Sequence, residues 1–315
     1  MGAQLPTHRL ARLGGHNGPV HALTYSAGTA TYLLTGSTDR IIRLFNPSTG
    51  RLIQKYETHG YEVLDIAVSA DNARLVSGGG DKTVFLWDVA TAQTTRRFMG
   101  HVGRVESVAF GGDDASVVAS ASYDSTVKLW DTKSQAHKPI MTLDEARDSV
   151  SSVKVRGAEI MTGSVDGSTR TYDIRMGSIY QDAMGSITSV TPTKDCASLL
   201  VSTLDSTIRL MDKANGKLLQ SFKAPEYRNQ TYRLRSTLGF NDSVVLSGSE
   251  DGNIDAWDFL TGKLLHALKH TDQSGGNMPT SEKAKKKDVI SAVTVCNARR
   301  EWASAGGDGE IACEI

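Results

Sequence analysis

Cysteine is scarce in this chain: Cys196, Cys296 and Cys313 are all it holds, an odd number with no framework spacing. A disulfide scaffold is therefore excluded, and the thiols read as reduced side chains of an intracellular protein. No cysteine pair has the two-to-four-residue gap of a zinc site. Net charge is missing as well, because 35 lysines and arginines balance 35 aspartates and glutamates. That balance excludes bulk electrostatic capture by nucleic acid or an anionic membrane and leaves only local patches. No apolar run is long enough to cross a bilayer, and the opening MGAQLPTHRLARLGG lacks the apolar core of a secretory signal. Asn229 and Asn241 head glycosylation-type tripeptides, but without an entry signal these read as chance matches. Long helical periodicities are also missing, while glycine- and serine-rich turns recur at short intervals, as in all-β chains.

What the chain has is repetition, built on residues 75–88, LVSGGGDKTVFLWD. This stretch reads as two short strands with a tight turn, made by Gly78, Gly79 and Gly80 with Asp81. One hairpin is marginal alone and must be packed against something. The turn aspartate recurs at Asp39, Asp81, Asp124, Asp166, Asp205, Asp251 and Asp308, at spacings of 42, 43, 42, 39, 46 and 57. Six residues after each of the first six stands Phe45, Trp87, Trp130, Tyr172, Met211 or Trp257, followed by Asn or Asp. This period predicts four-stranded blades set around an axis.

The repeats resemble WD-repeat β-propellers over essentially the whole chain. The resemblance implies a buried relay of His, Ser or Thr, Asp and Trp in each blade. Two repeats match throughout, with His59, Ser77, Asp81, Trp87 and with His101, Ser120, Asp124, Trp130; a third has His16, Thr35 and Asp39, with Phe45 unable to donate as indole does. The fourth to seventh repeats show no histidine at the matching place, so other groups must satisfy their aspartates. The expected fold is all-β, a single seven-bladed propeller spanning residues 1–315. The last repeat supplies only three strands, so residues 8–13 are expected to be the outer strand that closes the last blade. Glu314 stands at that repeat's aromatic position. The polar stretch 269–288 is expected to be a flexible basic insertion between two blades, on the face that carries the hairpin turns.

Several chemistry-bearing patterns have plainer readings. Ser77, His59 and Asp81 are the residue types of a hydrolase triad, but the same set recurs one repeat later, as a structural relay must and a catalytic set does not. His266 and His270 are four apart on an expected strand end, where they do not converge on a metal. Gly216-Lys217 and Gly262-Lys263 lack the other elements of a phosphate loop. The sequence thus points to no enzyme, no metal and no cofactor. The run Lys283, Lys285, Lys286, Lys287 reads as a solvated loop, a nuclear import signal or an RNA contact, and no aromatic residue lies there to stack bases. The candidate partner-binding residues lie in connectors and turns: Tyr61, Glu62, Arg104, Tyr123, Arg147, Asp148, Tyr227, Arg228, and Lys285, Lys286 and Lys287.

Some stretches are more particular than the repeat requires: HGYEVLD, SGGGDKTVFLWDVATAQ, TLDEARDSVSSVKV, GSVDGSTRTYDIRMG and STLDSTIRLMDKANGKLL. They are similar to the mitogen-activated protein kinase organiser family. TLDEARDSVSSVKV is the most telling, because it replaces the generic Gly-His entry to the fourth blade. The resemblance implies a non-catalytic scaffold, monomeric outside its complexes, whose partners are splicing factors or kinase-cascade proteins. It also implies a nuclear and cytoplasmic location and indirect association with RNA through complexes. The basic insertion favours the splicing reading; a kinase-cascade scaffold and a direct RNA-binding module are the alternatives. The insertion and the atypical end of the last blade depart from the family pattern.

Overall fold

The computed structural model describes residues 5–173, 177–182, 185–270 and 288–315. Within them the chain forms seven four-stranded antiparallel sheets, each one blade of a propeller. Blades 1 to 6 use consecutive strands, over residues 20–56, 63–99, 105–143, 150–182, 187–222 and 236–269. Blade 7 combines Ile290–Cys296, Glu301–Gly306 and Ile311–Glu314 with Arg9–Leu13 from the start of the chain. Arg9 pairs with Glu314 and Leu13 with Ile311, so the N-terminal strand closes the ring. Closure hides sheet edges that would otherwise invite association. Glu314 replaces an aromatic residue because it binds the closing strand: its Oε1 lies 3.1 Å from Arg9 Nε.

The first strand of every blade packs against the first strands of both neighbours, and these seven line the central channel. Both faces of a blade are therefore covered. Leu75, Val76, Ser77, Gly78 and Gly79 are all buried, with no solvent-facing alternation. The described apolar residues gather in seven clusters, one at each seam between blades. Trp87 joins Ile42, Leu44 and Val63 between blades 1 and 2, and Trp130 joins Val84, Leu86 and Val105 between blades 2 and 3. Full burial of a side chain of this size contributes roughly 1.5–3 kcal/mol, so the seams hold the ring together.

The hairpin turn differs from the expectation. The first strand runs on through Gly79 and the second starts at Thr83, so the turn is Gly80, Asp81 and Lys82. Lys82, not a glycine, takes the left-handed conformation there, at φ 59°. The residue after every turn aspartate does likewise: Arg40 71°, Ser125 64°, Gly167 83°, Ser206 57°, Gly252 87° and Gly309 81°. In five of the seven turns the aspartate itself braces the loop. Asp39 Oδ1 accepts the Ile41 amide at 3.1 Å, and Asp124, Asp166, Asp251 and Asp308 accept the amide two residues on in the same way. Gly78 and Gly79 serve close packing instead. A Cβ on Gly78 would sit 2.5 Å from a Val105 methyl of the next blade, and one on Gly79 would sit 1.9 Å from the Glu62 carbonyl oxygen.

Candidate partner-binding face

The second carboxylate oxygen of the turn aspartate, or its neighbour, reaches the connector entering the same blade. Asp39 accepts the Asn17 amide at 3.2 Å, Asp81 that of Gly60 at 2.9 Å, Asp124 that of Val102 at 2.9 Å and Asp166 that of Arg147 at 2.9 Å. Turn and connector are thereby locked into one face. Beneath it, blade 3 has Trp130 Nε1 donating to Ser120 Oγ at 2.8 Å, Ser120 against His101 Nε2 at 2.8 Å, and His101 Nδ1 against Asp124 at 2.9 Å. Blade 2 repeats the order, with Trp87 Nε1 to Ser77 at 2.8 Å, Ser77 to His59 at 2.7 Å, and His59 against Asp81. Blade 1 joins His16, Thr35 and Asp39 at 2.7 and 2.9 Å. Burial lowers the His16 pKa despite Asp39 beside it, which keeps the ring neutral, able to donate to Asp39 and accept from Thr35. The Ser77 hydroxyl belongs to a fully buried side chain capped by indole. No substrate reaches it, so the triad-like composition has a structural use.

The blades without an entering histidine solve the same problem differently. In blade 4, Arg170 Nη2 lies 2.7 Å from Asp166, and in blade 5 Arg209 pairs with Asp205. Both arginines stand four residues after their aspartate, as Arg43 does in blade 1, where it lies 2.7 Å from Asp39. The seventh blade does have a histidine, contrary to the count from sequence. His270 follows the outer strand Leu264–Lys269 directly, and its Nδ1 lies 2.8 Å from Ser304 Oγ while its Nε2 faces Asp308 at 3.7 Å. The insertion separates His270 from its blade, so Lys269 and His270 belong to the propeller and not to the loop. His266, by contrast, is exposed, so the two histidines do not converge.

On the face, Tyr61 is 62% exposed and Tyr123 58% exposed. Arg104, Arg147, Asp148 and Arg228 are exposed too, and Glu62 is half-buried. Arg104 holds its guanidinium 5.1 Å from the centre of the Tyr123 ring while its Nε reaches Glu106. Glu106 is gripped from across the channel by Arg233, which lies in the connector entering blade 6. The exposed cation–aromatic pair is thus fixed from beneath. Tyr227 departs from expectation: it is buried, edge-on to Trp257 with centroids 5.3 Å apart, and its hydroxyl meets Ser247 Oγ at 3.2 Å. It fills in blade 6 the space an entering histidine fills elsewhere. Asn229 is fully buried as well, with Nδ2 donating to the Thr203 carbonyl at 3.2 Å, so it offers no glycosylation site. Lys285, Lys286 and Lys287, with Lys283, lie outside the described residues. Val102, 77% exposed beside His101, belongs to the face and was missed, because its position in the connector carries no motif.

Comparisons with known proteins agree with this architecture. The β-propeller family described as Nucleolar protein 10-like, N-terminal domain, matches residues 18–240. WD repeat domain-containing protein 83 of Rattus norvegicus is 49% identical over 84% of this chain and 83% of its own. The homolog of that protein in Dictyostelium discoideum is 32% identical over 81% and 86%. An uncharacterised WD repeat-containing protein of Schizosaccharomyces pombe is 46% identical over 76% and 80%. WD-repeat propellers of this kind are protein-interaction scaffolds, and the chain belongs to the family of WD repeat domain-containing protein 83.

Proposed function

We propose that this propeller is a non-catalytic scaffold that seats subunits of the splicing machinery on its connector face, around Tyr61, Val102, Arg104, Tyr123 and Arg147. The observation that carries the binding half is the Tyr123–Arg104–Glu106–Arg233 chain. An exposed arginine and tyrosine already held in one geometry lose little conformational freedom when a partner docks. Tyrosine and arginine are also the residue types that concentrate binding energy at interfaces. The splicing half, with its nuclear site of action alongside a cytoplasmic pool, rests on the family resemblance.

The test is affinity purification of the tagged chain from nuclear and cytoplasmic extracts, with and without RNase, beside an Arg104→Glu/Tyr123→Ala variant. The expected result is a set of splicing proteins that survives RNase and is lost with the variant. Kinase-cascade proteins alone would replace the splicing reading with signalling. A set lost on RNase treatment would make the contact an RNA one, and a set indifferent to the variant would move the docking site off this face.

A further inference from the structure

Blade 6 breaks the electrostatic pattern of the ring. Four residues after the turn aspartate, where blades 1, 4 and 5 place Arg43, Arg170 and Arg209, blade 6 places Asp255. The residue is only 1% exposed, and among the described residues neither carboxylate oxygen has a hydrogen-bond partner. The strand opposite contributes Ser247, and the outer strand contributes Ala267. The connector contributes Glu226 and Tyr227, and the hairpin contributes Asp251; among the described residues the charged groups acting on Asp255 are both carboxylates, Asp251 and Glu226. The Tyr227 hydroxyl already meets Ser247, and among the described residues Asn229 Oδ1 is another buried acceptor without a partner. The cluster therefore holds several acceptors and too few donors. A proton on Asp255 removes a buried charge and adds the missing donor.

We propose that blade 6 is a proton-linked element of the ring: Asp255 is protonated in the closed blade, and its ionisation loosens the connector over residues 225–231. That connector leads into Arg233 and Arg235, which grip Glu106 and Asp65 across the channel. Loosening would therefore reach the Arg104–Tyr123 pair on the face. Burial, then Asp251 and Glu226, push the Asp255 carboxyl up to about 7 from 3.8. The folded ring thus keeps a proton that the unfolded chain releases, so this group costs stability as pH rises from about 4 to about 7 and adds no further cost above. The proposal stands whatever partner the face holds.

Unfolding of the full chain measured from pH 4.5 to 8.5, wild type against Asp255→Asn, tests it. The wild-type unfolding constant should rise relative to the variant by up to tenfold per pH unit below pH 7 and then level off. Asp251→Asn, which leaves Asp255 in place, should move the levelling point to lower pH. Amide exchange over residues 225–231, corrected for intrinsic rates, should grow faster with pH in the wild type than in Asp255→Asn. A difference between the proteins that does not change with pH, or equal exchange in that segment, would overturn the proposal.

Discussion

His270 Nδ1 lies 2.8 Å from the Ser304 hydroxyl, although residues 271–287 stand in sequence between the histidine and the blade it serves. In blades 1 to 3 the serine or threonine meets Nε2 and the aspartate meets Nδ1; here the ring is reversed. The relay is thus kept by the place of the histidine at the end of the preceding outer strand, not by its distance in sequence from Ser304. His270→Ala should strip Ser304 and Asp308 of their buried partner and lower stability by about 1–3 kcal/mol. Urea unfolding of the full chain checks this, and a midpoint within error of the wild type would remove His270 from the relay.

Asp124 is the second target. Burial alone would raise its pKa, but hydrogen bonds from His101, Thr126 and the Val102 amide overcome this and hold the carboxyl well below its ordinary range. Asp124→Ala leaves His101 and the Val102 amide without their acceptor, and should destabilise the ring by about 2–3 kcal/mol. Asp124→Asn should cost less, since its amide oxygen still accepts from Val102. Thermal melts that rank the two variants the other way would contradict the relay assignment.

The acid limb follows from the same groups. At Asp166, burial opposes ionisation, but Arg170 and the Arg147 and Ser168 amides win and bring the pKa to about 2 from 3.8. A depressed folded pKa means stability that is complete above pH 4 and is lost as pH falls through about 2. Asp39 and Asp124 are held down in the same direction. The melting temperature should therefore fall between pH 4 and pH 2. Arg170→Met should flatten blade 4's share, which a pH series on both proteins would reveal.

Much of this was legible in sequence because the relay residues lie within one repeat. The turn aspartates Asp39, Asp81 and Asp124 follow from spacing, and closure by the N-terminal strand, expected over 8–13 and found over Arg9–Leu13, from the strand count; their histidines came with the resemblance to WD-repeat propellers. What escaped depends on which side chains meet once the blades have folded. The arginine substitutes Arg170 and Arg209 were hidden by looking for histidine, though their shared place four residues after aspartate was there to find. His270 was hidden by the long spacing, although it directly follows an outer strand much as His101 does. Tyr227 looked like a surface tyrosine in a polar connector, and only the Trp257 ring it packs against gives it a core role. Glycine in SGGGD suggested a glycine turn, but Gly78 and Gly79 serve strand packing and Lys82 takes the left-handed position.

The closing strand gives a deletion test. Removing residues 1–13 would take away the strand paired to Ile311–Glu314, the Arg9–Glu314 ion pair and Leu13 from the seam between blades 7 and 1. It would also remove the acceptor of the Trp302 indole, the Pro6 carbonyl at 2.9 Å. The truncated chain should fail to fold or aggregate through its bare edge. A soluble truncation with an unchanged melting temperature would require another means of closure.

Arg235 and Asp65 join the entry to blade 6 with the first strand of blade 2 across the central channel. Arg235 also donates to the Leu64 carbonyl at 2.8 Å, while Asp65 accepts from Ser107 at 2.7 Å and the Val108 amide at 2.9 Å. Complete burial would raise Asp65, yet Arg235 and Lys154 keep it below its ordinary range, so the carboxylate is charged and dependent on its cation. Removing one partner of such a pair costs about 3–5 kcal/mol, because the other remains charged and buried. Arg235→Met should therefore destabilise the ring by that order, and Asp65→Asn in the same chain should recover part of the loss. A double variant no more stable than Arg235→Met would show that the guanidinium acts through Leu64 and not through the charge. Recovery would establish a strut that ties the blade 6 connector to blades 2 and 3, the blades that carry Tyr61, Arg104 and Tyr123.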